Sequence, residues 1–164
     1  MFWFENMFDC LYLFKEKLNI RYNLKPITQN FEFKDDKIVL KAFLNQHLFS
    51  NREFILEENL PNKMESYCFV IEIDNMKIVY TGDITDKNDI EDLIERSDFL
   101  ICESTHIEVE ELLALIGRKK VKSTILAHIP EEVERKKDWI NKRAKDFNCE
   151  NLIFAFDGLN IDIP

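Results

Sequence analysis

Glycine is nearly absent: Gly82, Gly117 and Gly158 are the only three in 164 residues. An ordinary chain carries about 7%, so glycine-rich phosphate-cradling loops are excluded. Histidine is equally scarce, with His47, His106 and His128 alone. Cations are in deficit. Twenty-two Lys and Arg against 31 Asp and Glu leave a net charge of −9, which does not favour nucleic acid, since a phosphate backbone needs clustered positive charge. No run of 18 apolar residues occurs, and residues 1–14 are interrupted by Glu5, Asn6 and Asp9. That opening also lacks the basic start and small-residue cleavage site of a secretory signal, so no membrane association is expected. Cys10, Cys68, Cys102 and Cys149 form no C-x-x-C pair. The expectation is four reduced thiols in a cytoplasmic protein.

What is present is enough for a folded core. Apolar residues make up 46% and charged residues 32%, a balance that excludes wholesale disorder. A chain this long buries about two-thirds of its unfolded surface. Phe4, Met7, Phe8, Leu11 and Phe14 follow helical spacing and predict a helix over 4–17. The grammar then becomes β-like, with strands predicted over 37–44, 66–73 and 76–80. Asp74-Asn75 stands between the last two as a hairpin turn, although glycine is the better second residue there.

From Gly82 onward, helices and strands alternate. Helices are predicted over 86–95, 107–117 and 131–146, and strands over 98–102, 122–127 and 151–155. The later strands are short, unbroken apolar runs, as in a sheet covered by helices. Thr105-x-x-Glu108 fits a capping box for the middle helix, and Gly117 fits its end. The basic runs Arg118–Lys122 and Arg135–Lys137 read as solvated faces, and Trp139 reads as core edge. The fold class is α/β.

Each histidine follows an apolar strand by one to four residues. Asp83 follows Lys77–Gly82 in the same manner, and Asp157 follows Asn151–Phe156. Carboxyl ends of strands are where loops converge and ligands gather in α/β proteins. Imidazole and carboxylate are ordinary zinc donors, and a carboxylate suits the bridging position of a two-metal site. Cys102 has no basic neighbour in sequence to make it a thiolate nucleophile.

The ordered runs Ile-Val-Tyr-Thr-Gly-Asp83, Ser97-Asp-Phe-Leu-Ile-Cys-Glu-Ser-Thr-His106, Thr124-Ile-Leu-Ala-His-Ile129 and Phe154-Ala-Phe-Asp-Gly-Leu159 resemble the metallo-β-lactamase fold superfamily. Its ribonuclease Z-type branch is the most similar, and the resemblance covers about residues 37–163. It implies an αβ/βα sandwich, of which this chain supplies mostly the C-terminal half as one partial domain over 1–164. Residues 48–66 are then an insertion or long loop, because the stretch between His47 and Asp83 is long for the family. The resemblance also implies a metal-dependent hydrolase acting on a phosphodiester or ester-type substrate. Asp83 would be the catalytic carboxylate bridging two zinc ions, with His128 on one and His47 on the other. Manganese or iron is compatible with the same donors. Asp157 falls in the closing region and takes a structural role.

Two departures qualify the resemblance. Cys102 stands where the tRNA-processing enzymes carry a histidine of His-Glu-Ser-Thr type. The His-x-His-x-Asp-His signature does not occur in the sequence at all, so the chain is expected to be truncated or split. Catalytic zinc usually takes three protein ligands and an open position. With His47, Asp83 and His128 alone, each of two ions has two ligands, whereas a single ion taking all three would have three. Packing has a parallel gap: the first sheet of the sandwich is missing, and an apolar face should be left open. The Phe4/Phe8/Leu11 stripe, a second copy or a complementing chain would then cover it. Two other readings stay open, a non-catalytic interaction or remnant domain of the same fold and a small α/β ligand-binding domain with Asp83 in its pocket.

Overall fold

The computed structural model describes residues 2–14, 17, 23 and 25–162, excepting the side chains of 2–5. Seven strands form one sheet in sequence order. They are β1 (Glu32–Lys34), β2 (Ile38–Asn45), β3 (Ser66–Ile73), β4 (Met76–Tyr80), β5 (Phe99–Glu103), β6 (Ser123–Ala127) and β7 (Leu152–Phe154). The first four pair antiparallel, and β4 to β7 run parallel. The parallel half needs crossovers. Helix α3 (Val109–Lys119) joins β5 to β6, and α4 (Glu131–Arg135) with α5 (Lys137–Asp146) joins β6 to β7. Helix α1 (Phe2–Cys10) stands before β1, and α2 (Arg52–Glu57) between β2 and β3.

Local chemistry explains where these elements turn. Asp74 and Asn75 both adopt positive φ, 48° and 65°, as a two-residue type I′ hairpin requires. Helix α1 stops at Cys10, well short of residue 17. Leu13 N–H donates to Phe8 O and Tyr12 N–H to Asp9 O, with Tyr12 left-handed, the pattern of a Schellman close. The middle helix starts two residues later than the pattern suggested and has Glu108 at its N-cap without a side-chain bond. Thr105 is used elsewhere, its hydroxyl donating to His128 O at 2.8 Å.

Gly117 does not end that helix; Lys120, left-handed, does. Glycine is needed at 117 for a different reason, since a Cβ there would lie 1.9 Å from the carbonyl oxygen of Phe147. The stretch 86–95 forms only a short 3-10 turn over Lys87–Asp89 followed by further turns. Its Asp89 carboxylate is taken by the N–H groups of Gln46 and Thr85, and Asn and Asp compete poorly as helix formers. The long helix predicted over 131–146 is interrupted at Lys136.

Strand alternation sorts the sheet into two unequal faces. Cys68, Val70, Val79, Leu100, Cys102 and Leu126 face the helices and join Ile90, Ile94, Leu112, Leu113, Leu115, Ile116 and Ile140 in one buried cluster. The register places Leu40, Ile71, Ile78, Phe99, Ile101, Ile125 and Ile153 on the opposite face, with Phe69 and Tyr80. Most of these are only half-buried, and Tyr80 is exposed. Of the stripe on α1, Met7 and Leu11 are exposed and Phe8 half-buried, while the Phe4 side chain lies outside the described residues. Among the described residues, no helix is long and apolar enough to cross a membrane.

Candidate functional site

The carboxyl ends of β2, β4, β5 and β6 lie side by side along one edge of the sheet, because those strands are paired neighbours or pair through β3. Each delivers a polar side chain just past its end. His47 opens the 3-10 turn after β2, Asp83 follows β4, His106 follows β5, and His128 follows β6. Residues separated by up to 81 positions in sequence thereby meet.

Asp83 is the centre of the group. His128 Nδ1 lies 3.2 Å from Asp83 Oδ1, and His47 Nε2 lies 3.9 Å from Asp83 Oδ2. The His47 and His106 rings meet edge to face at 4.9 Å, and the His106 and His128 rings at 6.3 Å. The cluster is open to solvent on one side, with Asp83 and His128 side chains 46% and 58% accessible. His128 itself takes a left-handed backbone, φ 46°, uncommon for a residue with a side chain. Its carbonyl accepts from the Ser104 and Thr105 hydroxyls, which holds the turn.

The three residues expected from the sequence do come together. His106 joins them without having been assigned a role, although its place one turn past a strand marked it as similar to the others. Its Nδ1 lies 3.1 Å from Oε1 of Glu103, a carboxylate that is 4% exposed. Cys102 is fully buried, and burial pushes its thiol up to about 12. It is a proton-bearing thiol at neutral pH and no nucleophile. Asp157 sits exposed in the turn after β7.

Donor chemistry suits a metal ion, and donor arrangement does not. Among the described residues, no group of three or more His, Cys, Asp and Glu side chains is placed to hold one. Asp83 and His128 instead engage each other directly. As they stand, these residues do not fit a metal ion on their own.

No family model and no curated protein matches the sequence. Solved structures do match. The metallo-β-lactamase fold protein YhfI from Bacillus subtilis is similar at 17% identity and TM-score 0.60, over 81% of this chain and 53% of that one. Isothiocyanate hydrolase from Delia radicum gut bacteria is similar at 12% and 0.60, over 94% and 63%. Zn(2+)-bound PqqB from Methylobacterium extorquens is similar at 13% and 0.55, over 84% and 55%. This chain therefore spans a little over half the length of the structures it matches. The mixed seven-stranded sheet with its helices, and the likeness to these structures, give the chain the metallo-β-lactamase-type α/β fold.

Proposed function

We propose that this chain is the C-terminal half of a metal-dependent hydrolase of the metallo-β-lactamase fold, acting on a phosphodiester or ester-type substrate. One observation carries the reading: the chain's only three histidines gather around Asp83 at one sheet edge. Scattered surface histidines have no reason to do so. In the completed site, His47, Asp83 and His128 would contribute ligands to zinc, or to manganese or iron, whose chemistry there would be to lower the pKa of a bound water and stabilise developing negative charge. The remaining ligands would come from the other half of the fold. The Thr-Gly-Asp83 and Glu103-Ser-Thr105 runs favour the ribonuclease Z-like branch, and Cys102 in place of histidine argues against tRNA maturation itself.

The partner in this reading is the complementing half, seated on the open sheet face. A non-catalytic packing role is the second reading, favoured by the want of a three-ligand group among the described residues. The test is a graft that places the N-terminal half of a matched structure ahead of this chain. A folded, zinc-loaded graft should hydrolyse bis(p-nitrophenyl) phosphate or p-nitrophenyl acetate, and Asp83→Ala should lower that rate by about 100-fold or more. Equal rates with and without Asp83 would overturn the proposal. A zinc-loaded graft with no hydrolysis would favour the packing role.

A further inference from the structure

Two buried polar side chains outside the His/Asp cluster grip a single peptide group inside it. Asn45, the last residue of β2, is fully buried. Its Nδ2 donates to the Asp83 carbonyl at 3.1 Å, and its Oδ1 accepts from His47 N–H at 3.1 Å. Glu103, the last residue of β5, is 4% exposed. Its Oε1 accepts from Ile84 N–H at 3.4 Å and faces His106 Nδ1, and its Oε2 accepts from the N–H groups of Thr105 and His106. The Asp83 carbonyl and the Ile84 N–H are the two poles of one planar peptide unit.

We propose that Asn45 and Glu103 are positioning residues that clamp the Asp83–Ile84 peptide from both poles, and so hold His47, Asp83 and His106 in one register. Fixing both poles fixes the peptide plane, and with it the direction in which Asp83 leaves the chain. Each clamp spends its second arm on a histidine: Asn45 on the His47 backbone, Glu103 on the His106 backbone and ring. With three backbone donors around it, Glu103 acts as acceptor, so the His106 ring presents an Nδ1–H to it. His106 thereby becomes a fourth member of the cluster. Neither clamp side chain is spare, because a buried carboxylate or amide without partners is costly.

The inference deepens the half-site reading, but its geometry requires no ion and can be tested without one. Amide hydrogen exchange and ring ¹⁵N shifts are read by NMR on the whole chain, for the wild type, Asn45→Asp and Glu103→Gln. Asn45→Asp keeps the acceptor for His47 and removes the donor to Asp83. The expected result is exchange at Ile84 N–H faster by about 10-fold or more, although its own acceptor Glu103 is intact. Core amides such as Leu100 and Leu126 should keep wild-type protection. Glu103→Gln should accelerate Ile84 and His106 together and move the His106 ring away from its single tautomer.

Unchanged Ile84 exchange and tautomer in both variants would overturn the proposal, as would uniform acceleration of every amide. Should Glu103→Gln fail to fold, the cross-effect of Asn45→Asp on Ile84 decides alone. Zinc affinity of the same variants keeps the two proposals apart. Clamp signatures that change while zinc binding does not would leave the clamp standing and count against the metal site.

Discussion

Buried thiols are the clearest residue-scale test of the core. Burial pushes Cys68 and Cys149 up to about 11 and Cys102 up to about 12, from an ordinary value of 9.0. The folded chain thus keeps protons that the unfolded chain releases above pH 9. Stability is fully present below that value and falls as pH rises from about 9 towards 11, by up to about 1.4 kcal/mol per pH unit per thiol. Urea unfolding at pH 7, 8, 9 and 10 measures it, and Cys102→Ala should flatten the slope. A pH-independent midpoint would contradict the placement of these side chains. The same burial predicts that a thiol reagent titrates one cysteine, the exposed Cys10, in the native chain and four in denaturant.

At the scale of elements, the strands were largely legible and the helix ends were not. Apolar runs such as Asp98–Cys102 and Ser123–Ala127 have one stable use, a strand with at least one face against helices, and the structure uses them so. Asp74-Asn75 announced its hairpin because both residues tolerate the left-handed backbone. Helix termini depend on tertiary partners that a local pattern does not contain. Thr105 looks like a cap but spends its hydroxyl on the His128 carbonyl, and Gly117 looks like a stop but sits mid-helix to let the Phe147 carbonyl approach. Gly117→Ala should therefore destabilise the fold by about 2–4 kcal/mol, although alanine is the better helix former. A urea midpoint equal to or above wild type would refute the close approach. His47, Asp83, His106 and His128 were legible as strand-end residues. The roles of Asn45 and Glu103, and the tie of Glu103 to the His106 ring, were not, because they lie in hydrogen bonds across elements.

At the scale of the whole molecule, the two sheet faces differ in kind. One is sealed by α3, α5 and the turns over 87–94. The other carries Leu40, Ile71, Ile101 and Ile125, each only half-buried, beside the exposed Tyr80. The isolated chain should bind a hydrophobic dye strongly and self-associate in sedimentation. The pair Ile71→Lys and Ile101→Lys should reduce both while leaving the helical circular dichroism intact. Dye binding unaffected by the pair would show that the face is already covered.

The central claim is that His47, Asp83 and His128 are half of a metal site, and zinc titration of the chain against a chromophoric chelator tests it most directly. Coordination arithmetic predicts at most one zinc per chain, held no more tightly than micromolar, and weakened by about 10-fold or more in Asp83→Ala. Identical titrations of wild type and Asp83→Ala would contradict the site, and two tightly held ions in the wild type would contradict its being half of one.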